Sequence, residues 1–277
     1  MTKILVTTDF SINSKSAIYF AIQLAKQTPV SITFFHSYHI LRPTSFSEAK
    51  FEAYEKSQTD KIELQLKDFI ADLTKDSGIS PDKFDSVIRE SVVPDGNILN
   101  YAENGGFDYI CMGTRGAGTI EKIFGTNTSH IINKSEIPVI AVPKDYESKP
   151  ITHLLYASDL FSLENEINKV VSLAKPIQAK VEVLNFSFPS EMEENKSAKE
   201  KIEQLTDYPI DFHLQENDFQ NTLVENIAKA VEKSHPSLLV MFTNQKKSIF
   251  EKLLFSSNSE DVAFNTKVPL LIFKKDS

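Results

Sequence analysis

The chain has 277 residues, 41% of them hydrophobic and 25% charged, which suits one large or two ordinary globular domains and excludes a fibrous or disordered chain. Its 30 basic and 38 acidic residues give −8, with 16 basic and 19 acidic residues up to position 150 and 14 and 19 after it, so neither half carries the positive excess that a nucleic-acid backbone attracts. A single cysteine rules out an intramolecular disulfide or a multi-cysteine metal site and fits a cytoplasmic location. No apolar run is long enough to span a membrane, and MTKILVTTDF lacks the pattern of a secretory signal, so neither membrane nor nucleic acid is expected as a partner.

In chain order, Lys3–Asp9 is an apolar, β-branched run that predicts a buried strand. Ser11 or Asn13 then caps a helix carrying Ala17, Ile18, Phe20, Ala21, Leu24 and Ala25 at helical spacing. Val30–Ser37 predicts a second strand, followed by a proline-containing loop at Leu41–Ser47. A long charged helix spans about Glu48–Lys75, with Ile62, Leu64, Leu66, Phe69, Ile70 and Leu73 as its apolar stripe. Phe84–Val93 alternates as a strand does, Asp95–Ala102 predicts a short helix, and Phe107–Gly113, which includes Met112, predicts a fourth strand. A glycine-bearing loop leads to a helix at Thr126–Lys134 and a fifth strand at Pro138–Pro143. Alternating strands and helices predict parallel pairing with right-handed crossovers, here a five-stranded α/β sandwich.

After a polar, proline-ended linker, Lys144–Pro150, the pattern repeats. Strands at Thr152–Asp159, Ala179–Ser187, Ile210–Leu214, Leu238–Thr243 and Val268–Phe273 alternate with helices near Leu163–Lys175, Glu191–Leu205 and Gln220–Lys233. Asp159 echoes Asp9 at an offset of 150, and shorter charged helices and loops reduce the offset to about 131 by the fourth strand. The chain therefore divides into domains at 1–146 and 151–277, an internal duplication.

The candidate site belongs to the first copy. In a doubly wound sheet, ligands sit beyond the C-terminal strand ends where the strand order reverses. Thr7, Thr8 and Asp9 close the first strand, His36 and Ser37 the second, and the fourth runs into Gly113-Thr-Arg115-Gly116-Ala-Gly118 and on to Gly125-Thr126-Asn127-Thr128-Ser129. All eight glycines of the chain precede residue 126. Gly113 and Gly116 permit a turn with inward N–H groups, and Gly125 permits close approach just before a helix N-terminus without acidic residues, where orphan N–H groups favour an anion. A glycine loop with a helix stop and a cap accounts for the same pattern without a ligand. The second copy has Thr243–Asp261 at this point, with no glycine, a Ser257/Glu260 capping box and Asp261, which would repel a phosphate.

These residues resemble the universal stress protein family, in a tandem of two UspA-type domains. The family's ATP-binding pattern is a glycine, two residues, a glycine, nine residues, then glycine with serine or threonine. This chain has eight residues between Gly116 and Gly125-Thr126. The resemblance implies two doubly wound five-stranded parallel-sheet domains of the adenine-nucleotide α-hydrolase-like type. It also implies pairing about a pseudo-two-fold axis through antiparallel fifth strands, an intramolecular pseudo-dimer that leaves a further homodimer open. It implies ATP or another adenine nucleotide, with or without Mg, as a regulatory ligand in stress response. Thr7, Thr8, Asp9 and Ser37 would lie by the adenosine, with Met112, Gly113, Arg115, Gly116, Gly125, Thr126 and Asn127 around ribose and phosphates. An unidentified protein partner would read the nucleotide state.

Two alternatives stay open: a tandem scaffold for protein contacts that binds no nucleotide, and a slow ATPase. No P-loop or nucleophile-elbow motif is present. His36 and His39 read as strand-end and loop residues without a third metal ligand, His130 as a helix-surface residue within reach of a phosphate, and Cys111 as a buried hydrophobe.

Overall fold

The computed structural model describes residues 1–75, 77–80, 83–114, 125–217, 220–243 and 268–275. The first half contains β1 (Thr2–Thr7), α1 (Ile12–Gln27), β2 (Val30–Tyr38), α2 (Glu48–Thr74), β3 (Asp85–Glu90), α3 (Pro94–Gly105), β4 (Tyr109–Gly113), α4 (Thr126–Lys134) and β5 (Val139–Val142). The second contains β6 (His153–Ala157), α5 (Leu163–Ile177), β7 (Lys180–Ser187), α6 (Met192–Asn195), α7 (Ala198–Leu205), β8 (Ile210–Glu216), α8 (Leu223–Ser234), β9 (Leu238–Thr243) and β10 (Leu270–Lys274).

The strands form one ten-stranded sheet ordered β3-β2-β1-β4-β5-β10-β9-β6-β7-β8, so the order of the first half is mirrored in the second. Every pairing is parallel except β5 with β10, where Leu270, Leu271 and Ile272 face Ala141, Ile140 and Val139. The expected antiparallel contact of the fifth strands is thus present, and it makes one sheet of two mirrored halves.

Successive residues of β1 separate to opposite faces. Ile4 and Val6 join a core built with α1, α2, α5 and α7, whereas Leu5 joins one built with α3, α4 and α8. Covering on both faces is why these strands read as continuous apolar runs rather than alternating ones. Small residues set how closely helices approach: Ala17 and Ala21 bring α1 down onto β4, where the Cys111 thiol lies 3.5 Å from the Ala17 carbonyl. Burial pushes that thiol well above its ordinary range, in keeping with a packing role.

Of the two caps expected for α1, Ser11 serves, accepting from the Ser14 N–H at 3.3 Å. Two expectations need correction. Leu64 is 60% exposed, because it lies about 200° around the helix from Leu66, which with Ile70 and Thr74 is buried. The single charged helix expected over Glu191–Leu205 is two, α6 and α7, because the Ser197 hydroxyl takes the Glu194 carbonyl at 2.9 Å and competes with the helical bond.

Candidate functional site

β1 and β4 are neighbours from which the chain winds outward in opposite directions, so the strand order reverses between them. The Val6–Cys111 pair fixes their register, so the chain leaves β1 into Thr8-Asp9 and β4 into the glycine loop at the same end of the sheet.

The turn after β1 is held tightly. Thr8 donates its N–H to the Phe35 carbonyl at 2.9 Å, and its hydroxyl bonds the Ser14 hydroxyl at 2.8 Å and accepts from the Phe10 N–H at 3.1 Å. Asp9 Oδ1 accepts from the Ser11 N–H at 3.0 Å, which leaves the exposed carboxylate anchored at a helix start. Phe10 has φ +62°, a left-handed conformation uncommon for a bulky residue, and its ring lies on His36 and edge-on to Phe69. The second half repeats this turn: Ser158 donates to the Leu184 carbonyl at 2.8 Å, Leu160 has φ +63°, and Asp159 accepts from Phe161 at 3.1 Å.

His36 Nδ1 lies 2.8 Å from the Thr8 carbonyl, which can only accept, so Nδ1 carries the hydrogen. Asn185 performs the same task in the second half, donating to the Ser158 carbonyl at 2.9 Å. Burial lowers the His36 pKa, outweighing the Thr8 carbonyl and Asp9, which raise it. Sequence reasoning did not find this role; a polar side chain at the same register in both copies was the available signal. Ser37 receives a bond from Asn97 at 2.9 Å, so its hydroxyl is tied to α3. His39 pairs with Glu90.

At the other wall, Gly113 is buried at the end of β4 and its carbonyl accepts from the Thr128 hydroxyl at 3.0 Å. The Gly125 N–H donates to the Thr114 carbonyl at 2.8 Å, drawing the two ends of the glycine segment together. Gly113 and Gly125 are therefore close. Neither has a positive φ. Among the described glycines that conformation occurs at Gly78 and Gly106, and Gly125 has φ −65°, open to any residue. The expected conformational need for glycine does not hold at these two positions. Arg115 and Gly116, with Gly118, lie outside the described residues, as does the Ser257, Glu260 and Asp261 segment of the second half.

The four polar residues opening α4 divide in two. Thr126 and Asn127 are exposed, while Thr128 and Ser129 are buried. Gly125 caps α4 without a side-chain bond, and the first turn contains no acid, so Thr126, Asn127 and Thr128 present N–H groups that have no partner within the helix. His130 Nδ1 lies 3.2 Å from the Asp95 carboxylate of α3, which sets one acid behind that turn. Met112 contributes a buried side chain packed with Leu5, Phe35 and Ile131. The arrangement can hold an anion at α4 and a polar ligand between β1 and β4. Among the described residues no three His, Cys, Asp or Glu groups converge on a metal position.

Comparison with known proteins gives the same architecture. The sequence profile of the universal stress protein family matches residues 1–143. A universal stress protein from Archaeoglobus fulgidus DSM 4304 superposes with TM-score 0.73 at 17% identity, over 99% of this chain and 98% of that one. A Pseudomonas aeruginosa UCBPP-PA14 protein provisionally assigned to the same family gives 0.61 at 13%, over 99% and 93%. The cytoplasmic domain of a prokaryotic cation chloride cotransporter gives 0.54 at 8%, over 98% and 94%. No curated protein matches the sequence. Among the described residues no helix is long and apolar enough to cross a membrane.

Proposed function

The chain belongs to the universal stress protein family, and from that premise we propose that its first domain, residues 1–146, binds one adenine nucleotide as a regulatory ligand. The second domain, residues 151–277, would lack this capacity, and the paired molecule would act in the cytoplasm, presenting a surface that a protein partner reads during stress. A nucleotide shifts such a surface only by the difference in its affinity for the two states.

One observation carries the reading. The Gly125–Thr114 bond ties the acid-free start of α4 to the end of β4, the neighbour of β1, which supports a ligand at the reversal of strand order where doubly wound sheets take them. The phosphates would meet Gly125, Thr126 and Asn127, with Arg115 and Gly116 as further contacts. Adenosine would lie toward Thr7, Thr8, Asp9 and Ser37, and Met112 would support the floor through Gly113. The second domain differs at the matching first helix, since α5 carries Glu164 and Glu166 in its first turn where α1 has no acid. Mg, if it accompanies ATP, would be held by the phosphates and at most one protein carboxylate, Asp9.

A second reading has support of its own: Asp9 and Ser37 already bond Ser11 and Asn97, and the same paired architecture serves in a cotransporter domain of another function. In that case the molecule is a scaffold without nucleotide. Calorimetric titration of the full chain with ATP, ADP and AMP separates the two. We expect a stoichiometry near one for at least one nucleotide, lost in Gly125→Glu, whose backbone conformation accepts the larger residue without strain while its carboxylate repels phosphate. No heat from any of the three refutes the nucleotide reading.

A further inference from the structure

The pairing of β5 with β10 joins the sheet at its centre and leaves two outer strands, β3 and β8. The β8 edge is the longer, seven residues against six. Its phase against β7 is fixed: Glu216 lies opposite Ser187, and the Asn217 N–H donates to the Ser187 carbonyl at 2.8 Å. In a parallel ladder bonded in that phase, Asp211, His213 and Gln215 direct their backbone groups to β7, while Ile210, Phe212 and Leu214 turn theirs outward. Among the described residues no strand pairs with that outer edge.

The side chains of β8 alternate as well. Ile210, Phe212 and Leu214 share one face and are only half-buried, at the margin of the core that α5 and α7 cover. Asp211 and His213 stand on the opposite face with side chains 58% and 48% exposed. The strand lacks the devices that usually blunt an edge. IDFHLQE contains neither lysine nor proline, and its register with β7 runs unbroken from Ile210 to Glu216.

We propose that β8 pairs with β8 of a second copy of this chain, antiparallel about a two-fold axis at Phe212. Phe212 then faces itself and Ile210 faces Leu214 of the second copy, on either side of the axis, so every outward backbone group of these three residues is bonded. Between them Asp211 faces His213 of the second copy, at the closer spacing of a non-bonded pair. Within each chain Lys180 Nζ already lies 2.9 Å from Asp211 and His213 Nε2 3.4 Å from Glu182. The two pairs therefore join across the axis into one row, Lys180, Asp211, His213, Glu182, in which base and acid alternate. Sliding the strands by two residues either way sets Asp211 against Asp211 or His213 against His213, so the charges select a single register. The opposite edge fits less well, because the one cation of β3, Arg89, lies over the Tyr101 ring at 4.9 Å and its carbonyl accepts from Asn97. One strand edge buries little area, so this dimer is of the weak class that forms with rising concentration. The inference rests on the second half alone and is independent of the nucleotide reading.

Sedimentation velocity of the full chain, from micromolar to near-millimolar concentration, tests this and should show a monomer–dimer equilibrium. Asp211→Lys and His213→Glu each weaken it at least tenfold, since the first sets two basic side chains face to face and the second two carboxylates. Mixed in equal amounts the two variants regain the dimer, because every facing pair is then a base with an acid, a recovery that misfolded chains do not show. Residue-resolved hydrogen exchange reads the register: the Ile210, Phe212 and Leu214 amides gain at least tenfold protection in the concentrated sample over the dilute one. A chain that stays monomeric overturns the proposal, as does a dimer that leaves those three amides unprotected and so uses another surface. Variants that dimerise alone as the parent does, or a mixture that fails to recover, overturn it equally.

Discussion

His36 and Asn185 do one job with different chemistry. Each donates to the carbonyl of the residue just after the first strand of its half, Thr8 or Ser158, and so fixes the turn that presents Asp9 or Asp159. The imidazole brings a pH dependence that the amide lacks. An unfolded histidine titrates near 6.5, and burial lowers His36 in the folded chain. Between those two values the unfolded chain binds more protons, so stability falls as pH drops below about 6.5 and the loss levels off once pH passes the folded value. His36→Asn keeps a donor for Thr8 and removes the titration. In urea unfolding from pH 7.5 down to 5.0 the variant loses less stability than the parent below pH 6.5, and parallel profiles count against this account.

The elements show what a sequence pattern reveals and what it misses. Strand positions and the duplication were legible because apolar runs such as Ile4–Val6 and Leu238–Val240 follow one another in the same order in both halves. The antiparallel fifth strands followed from the family resemblance and from the need to cover open edges. The face of α2 was misread because an apolar residue was counted without its angle. Leu64 points away from the Leu66–Ile70–Thr74 row, so Ile70→Ala should cost about 2–4 kcal/mol, whereas Leu64→Ala should stay within roughly 0.5 kcal/mol of the parent. Chemical denaturation of the two variants checks the pair, and similar losses contradict the assignment. The candidate site was only half legible. Residues contiguous in sequence, such as Gly125-Thr126-Asn127, could be found, but the Asn97–Ser37 and His130–Asp95 bonds join segments 60 and 35 residues apart.

For the whole molecule, the seam between halves is built as core rather than as a contact between separate bodies. Both apolar layers cross it: Ile140 and Leu271 belong to one cluster, Val139 and Ile272 to the other. Phe273 stacks on Phe242 and meets Tyr109 edge-on across the seam, and Lys274 pairs with Glu136. The linker is docked as well: Tyr146 within it packs on Phe20, and just after it Gln27 exchanges two bonds with the Ile151 backbone at 2.9 and 2.7 Å. A tandem chain thus covers its own fifth-strand edges, which single sheets of this kind leave open to other chains. With its cores continuous, the molecule should unfold as one unit. Leu271→Ala, at a fully buried position in β10, should cost about 2–5 kcal/mol and lower protection in both halves together. Native-state hydrogen exchange on β1 and β6 amides reads this directly: the two strands lose protection in step if the seam is core, and only β6 loses it if the halves are thermodynamically separate.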